Sequence, residues 1–465
     1  MAKSDEAGPW APAIRKSDGP VYLAIADALA ADILSGILSE GTRLPTQRNL
    51  AESLGIDFTT VTRAYTEAQR RGLVEGRVGL GTYVRAKQIR PAQTASTGAV
   101  DMSMNLPPRF DDPNLVARMW AGIAGLESSG GLDLLLRYQE AGGAASDRAA
   151  GAQWLAGRIP SLSAERVLIC PGAQGALLAI VGLLAAPGDT ICAEALTYPG
   201  FRSLAAHLRL RLVPVEMDGE GLIPEAFDAA CRQEKPKALY CTPTLHNPTT
   251  ATMSQLRREA VVAVARRHGV AIIEDDAYGM LPRQAPAPLA VLAPELVYHI
   301  AGLAKCLSPA LRVAYVVPPD SRSTARLAGS VRAMTSMASP LTVAIATRWI
   351  QDGTADAVLT AIRKESAARQ QIAKTLLPAD VVRANPEGFH LWLRLTPPWS
   401  RGEFAGRLHT SGVGVVTSDA FALATPPEAV RLSLGTPASQ EELRKSLQVI
   451  ADLLGEQPAM SSMVV

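Results

Sequence analysis

Between Ala86 and Val100 the chain carries almost no large apolar side chain; Ala, Gln, Ser, Thr and Pro fill the stretch. Such a segment has too little to bury to offset the entropy of ordering it, and it reads as a flexible linker over 86–100. The 465 residues therefore divide into parts that must each build a core, residues 15–85 and residues 101–455. Hydrophobic residues make up 48% and charged residues 19%, which suits globular domains and argues against wholesale disorder. The net charge is only +2, which excludes a uniformly basic coat for nucleic acid. Its distribution is uneven: residues 1–40 hold three basic and six acidic side chains, residues 41–90 nine and four. The basic surplus belongs to one short module.

Five cysteines (Cys170, Cys192, Cys231, Cys241, Cys306) form no C-x-x-C pair, so neither a disulfide framework nor a zinc site is expected. Met1 to Pro20 lacks an apolar leader core. The longest apolar run, Ala176 to Ala186, is too short to span a bilayer and predicts a buried helix. A soluble, cytoplasmic protein without a membrane partner or a bound metal is the expectation.

The first part reads as three helices and a hairpin. Val21 to Leu38 places Leu23, Ile25, Ala26, Leu29, Ile33, Leu34 and Ile37 near helical spacing. Thr46 caps a short helix that Gly55 ends, and a third helix begins near Thr59 and ends at Gly72. Leu73–Glu75 and Thr82–Val84 then flank a Gly-rich turn. This is the pattern of a winged helix-turn-helix.

After the linker, short β-like runs alternate with helices: Val167–Ile169, Thr190–Cys192, Leu212–Val215, Ala238–Tyr240, Ala271–Ile273, Val297–Ile300 and Ala314–Val317. That predicts a large α/β domain with a mostly parallel sheet, whose ligands bind beyond the strands' carboxyl ends.

The segment Gly41-Thr-Arg-Leu-Pro-Thr-Gln-Arg-Asn-Leu-Ala-Glu-Ser-Leu-Gly55 resembles the GntR-type winged helix. The likeness runs on through Thr59-Thr-Val-Thr-Arg-Ala-Tyr65 and Gly79-Leu-Gly-Thr-Tyr-Val84. It implies a helix in the major groove of double-stranded operator DNA. Arg48, Thr59, Thr60, Thr62 and Arg63 are then the phosphate and base contacts, and Gly79 and Gly81 bring the wing close to the backbone. Arg70 and Arg71 fit a solvated face equally well. Phe58 stands where relatives often carry a base-reading arginine.

In the large domain, Gly302-Leu-Ala-Lys305 follows a strand and Ser308-Pro-Ala-Leu-Arg312 comes next. Upstream lie Pro171-Gly-Ala-Gln174, Glu194-Ala-Leu-Thr-Tyr198, Thr242-Pro-Thr-Leu-His-Asn247-Pro, and Glu274-Asp275-Asp-Ala-Tyr278. This order resembles fold-type-I enzymes of pyridoxal 5′-phosphate, the class I/II aminotransferases. Together with the first module, the chain resembles a MocR-type regulator of the GntR family. The resemblance implies a large mixed sheet with a small C-terminal subdomain, pyridoxal 5′-phosphate as cofactor, and a homodimer.

It also assigns roles. Lys305 forms the Schiff base with the cofactor, and Asp275 pairs with its pyridine nitrogen, with Asp276 as the alternative. Asn247 and Tyr278 reach the phenolic oxygen, Tyr198 stacks on the ring, and Gly172, Ala173, Gln174 and Arg312 cradle the phosphate. Tyr138 reaches the partner subunit's phosphate. Arg431 clamps a ligand carboxylate, with a surface strand residue as the alternative. His246 is expected to be structural. Gly302 stands where relatives often have a phosphate-binding serine, which predicts weaker cofactor binding. Two functions follow from the resemblance: a regulator whose cofactor on Lys305 senses an amino-compound effector by forming an external aldimine, or an aminotransferase with an accessory DNA-binding domain. A third reading leaves a DNA-binding protein with a vestigial large domain.

Overall fold

A computed structural model describes residues 10–12, 20–34, 37–39, 41–71, 73–77, 81–84, 100–126, 134 and 136–456. The chain forms two compact units, Met1–Ala95 and Ser96–Val465. Of the expected linker, residues 86–99 lie outside the described residues.

In the first unit, α1 (Val21–Leu34), α2 (Gln47–Leu54) and α3 (Phe58–Arg70) precede a hairpin of β1 (Val74–Arg77) and β2 (Gly81–Val84). Thr46 caps α2 by accepting the Asn49 N–H, and Gly55 closes it in the left-handed conformation. Asp57 caps α3, which therefore starts at Phe58, just ahead of the expected Thr59. The first helix stops short of the Val21–Leu38 run: Leu38 is buried beyond it in a bend, while Ile37 is 70% exposed. Ile25, Leu29, Leu50, Val61, Tyr65, Val74 and Val84 make this unit's own core. The strand-like stretch at Gly41–Leu44 adds backbone hydrogen bonds to the hairpin's outer edge through Thr82 and Val84.

The second unit begins with β3 (Val100–Asp101), so the last residue of the expected linker is already in a strand. The central sheet holds β4 (Leu168–Cys170), β5 (Thr190–Glu194), β6 (Arg211–Val215), β9 (Ala238–Cys241), β10 (Ala271–Asp275), β11 (Val297–Gly302) and β12 (Ala314–Val317). A short hairpin, β7 (Met217–Asp218) and β8 (Gly221–Leu222), follows β6. The order is β4-β12-β11-β10-β9-β5-β6. Only β12 runs against its neighbours. All seven strand-like runs are in this sheet. Their apolar character on both faces reflects helices on each side: Gly172–Leu184 and Ser321–Thr335 cover one face, Pro224–Glu234 and Gln255–His268 pack on the other. The Ala176–Ala186 run is helical as far as Leu184 and largely buried as far as Val181, with Ala185 and Ala186 beyond the helix; no described helix is long and apolar enough to cross a membrane.

Four antiparallel strands form the smaller C-terminal sheet: β13 (Val382–Ala384), β14 (His390–Arg394), β16 (Val416–Thr417) and β17 (Ala429–Ser433), in the order β13-β14-β17-β16. Helices Thr354–Leu376, Arg401–Thr410 and Gln440–Gly455 pack against it. β3 pairs with β15 (Val413–Gly414), which ties residues 100–106 to this subdomain. Gly435 makes the close approach possible, since a Cβ there would meet the Leu106 carbonyl oxygen at 1.8 Å.

Candidate functional site

Because β12 is the only reversed strand, the carboxyl ends of β4, β5, β9, β10 and β11 gather along one edge of the sheet. The loops that leave these ends carry Tyr198, Asn247, Tyr278 and Lys305, and the helix that follows β4 starts at Gly172. β10 itself ends on Asp275. This is where an open α/β sheet binds its ligand.

Asp275 is 4% exposed, and its Oδ2 accepts a 2.9 Å hydrogen bond from the Tyr240 hydroxyl. Its Oδ1 is buried with no partner. Burial pushes its carboxyl up to about 6, against the pull of the Tyr240 bond. Asp276 points elsewhere: Arg158 holds it at 3.0 Å, and His299 lies 4.0 Å away. Burial works to raise the Asp276 carboxyl, but these charges outweigh it and hold it below its ordinary value. Each aspartate keeps one buried oxygen without a hydrogen-bond partner among the described residues, but Asp276 is already paired with a cation, Arg158, and Asp275 is not.

Lys305 is half-buried, and its amine donates to the Asn105 carbonyl. Burial lowers it to about 8; the positive charges of Arg431 and Arg312 add to this, and Asp275 opposes it. Tyr278 is buried and accepts a 2.8 Å bond from the Asn105 amide. Arg431, 4% exposed on β17, donates to the Ser103 carbonyl and, at 3.4 Å, to Asn247 Oδ1. Its guanidinium lies 5.6 Å from the Phe421 ring centroid. Burial lowers Arg431 to about 10, and it has no bonded carboxylate among the described residues. Arg431 is therefore not an exposed strand residue.

The other edge of the site is built for an anion. Helix Gly172–Leu184 starts at Pro171 without a side-chain cap, leaving its first N–H groups to an outside acceptor. Gly172 has φ +74° and lies against Arg312, which is exposed and itself at φ +52°. Gln174 donates to the Gly200 carbonyl at 3.3 Å, while its Oε1 is buried without a partner. Ala173 Cβ sits 3.4 Å from where a side chain on Gly302 would begin. Tyr198 is half-buried, its ring packed over Gly200, and it feels the charges of Asp275 and Arg312.

These features fit pyridoxal 5′-phosphate. The orphaned Asp275 oxygen asks for a protonated ring nitrogen, the uncapped helix and Arg312 ask for a phosphate, and the Lys305 amine asks for an aldehyde.

Tyr138 is not in this cluster; it is 86% exposed. His246 is fully buried, 3.2 Å from Glu194, which also accepts two bonds from Thr242. Sequence reasoning passed over Ser103, Asn105, Tyr240 and Arg158. Tyr240 had one signal, a hydroxyl at the end of an otherwise apolar strand. The others had none, since each acts on residues more than a hundred positions away.

In the first unit, Arg48 and Arg63 are exposed, and Thr60 is half-buried. Thr59 is exposed but gives both its N–H and its hydroxyl to the Asp57 carboxylate. The Thr62 hydroxyl bonds Gln47 at 2.9 Å and the Phe58 carbonyl at 3.0 Å, so it joins α2 to α3. Phe58 is 47% exposed at the start of α3. Arg71 pairs with Asp27 and Glu67. Gly81 has φ +113° and lies against exposed Arg43; Gly79 lies outside the described residues.

Residues 21–84 match the family of bacterial regulatory proteins, gntR family, and residues 126–450 match aminotransferase class I and II. The chain is 30% identical over 453 residues to the uncharacterized HTH-type transcriptional regulator YdeF of Bacillus subtilis (strain 168), covering 96% of this chain and 97% of that one. It is 27% identical to the vitamin B6 salvage pathway transcriptional repressor PtsJ of Salmonella typhimurium, over 90% of this chain and 95% of the relative. The probable rhizopine catabolism regulatory protein MocR of Rhizobium meliloti is 28% identical over 66% of each chain. In fold, the second unit is similar to LysN, an alpha-aminoadipate aminotransferase from Thermus thermophilus, with a TM-score of 0.69 and 23% identity over 79% of this chain and 94% of that one. The chain therefore belongs to the MocR-type regulators of the GntR family, transcriptional regulators that join a DNA-binding helix-turn-helix to an aminotransferase class I and II domain with pyridoxal 5′-phosphate as its cofactor.

Proposed function

We propose that the aminotransferase-like domain serves as a sensor: with the cofactor on Lys305, it binds an amino compound bearing an acid group and thereby changes how the N-terminal unit binds operator DNA. When bound, pyridoxal 5′-phosphate supplies an aldehyde that condenses reversibly with primary amines. Asp275 would hold the proton at the ring nitrogen, Tyr278 and Asn247 would hold the phenolic oxygen, and Tyr198 would cover the ring. Gly172, Ala173, Gln174 and Arg312 would hold the phosphate. Arg431 would take the acid group, and a ligand amine would compete with Lys305 Nζ. The protein acts as a cytoplasmic homodimer in this reading, with exposed Tyr138 reaching toward the partner's site.

The observation that carries the reading is the placement of residues 103–105. The Ser103 carbonyl sits on Arg431 and the Asn105 carbonyl on Lys305. A ligand that takes Arg431 displaces a carbonyl of the segment that leads back through β3 to the stretch joining the two units. A ligand shifts a conformational equilibrium only by binding two arrangements differently, and this competition supplies such a difference.

The test uses the full chain and a duplex selected by it from a random pool. The purified protein should show a visible cofactor band that Lys305→Ala abolishes. One amino compound should shift that band and change duplex affinity in the wild type, with no response in Lys305→Ala. An unchanged response in the variant would sink the sensor. Rapid conversion of the cofactor to its amine form, reversed by a keto acid, would instead establish an aminotransferase.

A further inference from the structure

We infer that Asn105 and His390 read a hydrogen-bond donor on the ligand, so that the amino compound this site takes carries a hydroxyl or a second amine besides its acid group. The inference rests on the proposal that the site takes an amino compound, and it names the class.

Asn105 is 6% exposed and lies between two site residues: its backbone carbonyl accepts from Lys305, and its Nδ2 donates to Tyr278 at 2.8 Å. Its Oδ1 is buried with no partner. His390 is fully buried on β14. Its Nε2 lies 3.1 Å from the His246 carbonyl. A carbonyl only accepts, so the ring proton sits on Nε2 and Nδ1 presents a lone pair. Among the described residues that Nδ1 also has no partner. The imidazole lies 5.5 Å from the Tyr278 ring, centroid to centroid, and burial keeps it neutral. Tyr278 is thus flanked from two separate segments by buried acceptors that no donor among the described residues reaches.

The small sheet sets this face toward Arg431. Trp392 stands opposite Arg431 and His390 opposite Ser433, so all four side chains share one side of the β14–β17 pair. Ser433 Oγ is buried without a partner too, and a hydroxyl there serves as donor or acceptor.

Buried polar atoms are almost always paired, and exceptions clustered in a site ask for a partner from outside. Arg431 answers an acid group and Lys305 yields to an amine. A plain aliphatic amino acid brings only these two and leaves both acceptors dry. A ligand with a further hydroxyl or amine satisfies one or both, and a site built this way rejects the analogue that lacks the group.

The test titrates the cofactor-loaded full chain with matched pairs: alanine against serine, and 4-aminobutanoate against 4-amino-3-hydroxybutanoate. Affinity is read from the shift of the visible band and checked by calorimetry. The member with the extra donor should bind at least about tenfold tighter in one pair. In Asn105→Ala and His390→Phe that ratio should fall to within about threefold. Any general loss of affinity is common to both members and cancels in the ratio. The two variants lie on separate segments, the loop after β3 and the strand β14, so either alone, if it retains the visible band and a cooperative melt, decides the matter. Equal affinities within every pair, or ratios that survive in the variants, overturn this inference and leave the sensor standing. No band shift with any compound overturns the sensor and this inference with it.

Discussion

Lys305 shows how burial prepares a single group for its chemistry. At neutral pH roughly 10% of an amine with a pKa near 8 is neutral, against well under ~0.1% for an ordinary lysine. The sign follows from linkage: the folded chain releases this proton near pH 8 and the unfolded chain near 10.5, so folding favours the neutral amine and this group's contribution to stability rises with pH through that window. Uptake of pyridoxal 5′-phosphate by the cofactor-free protein should therefore speed up about tenfold per pH unit below 8 and level off above it. Stopped-flow growth of the visible band across that range measures it, and a midpoint near the ordinary lysine value would contradict the burial argument. Residues such as Lys305, Asp275, Tyr278 and Asn247 could be singled out because each belongs to a short motif, after or at the end of a strand, that carries the family resemblance. Asn105 was not. Its partners Tyr278 and Lys305 lie 173 and 200 positions away, and nothing in Met-Asn-Leu-Pro announces either. Tyr240 and Arg158 follow the same rule, because their meaning lies in which aspartate each one holds.

Helices and strands were easier to read than their side chains' duties. Thr46 and Gly55 bound α2 as a cap and a left-handed stop, both visible in the sequence. The start of α3 moved to Phe58 because the Asp57 carboxylate accepts the Thr59 N–H at 2.7 Å. That same carboxylate occupies the Thr59 hydroxyl, and Gln47 occupies that of Thr62. Among the described side chains of the helix pair, Arg48 and Arg63 are exposed cations. Replacing either with Ala should weaken duplex binding about equally across sequences and lower the slope of log affinity against log salt by about one. Fluorescence anisotropy at several salt concentrations reads both. A slope unchanged in both variants would place the phosphate contacts elsewhere, with exposed Arg43 beside Gly81 the next residue to change.

At the scale of the whole molecule, each unit carries its own core, and the N-terminal one closes around Ile25, Leu50, Val61 and Tyr65. Leu50 is 0% exposed, and Leu50→Ala should cost the first unit ~3 kcal/mol. Duplex binding should fail at a lower temperature while the cofactor band melts where it does in the wild type. A shared shift of both would show that the units unfold as one. The amino-acid sequence alone determined the division into two units, the winged helix, the seven strands and the strand ends that bear Lys305 and Asp275. Those properties are written in periodicity, caps and turns that act over a few neighbouring residues. Only the tertiary structure decided the rest. It turned Asp276 to Arg158 and left Asp275 an open oxygen, brought residues 103–105 onto Arg431 and Lys305, and set His390 and Asn105 around Tyr278 with unpaired acceptors. These are contacts between distant segments, and their energy depends on burial and on which polar atoms end up unpaired, quantities that exist only once the chain has folded.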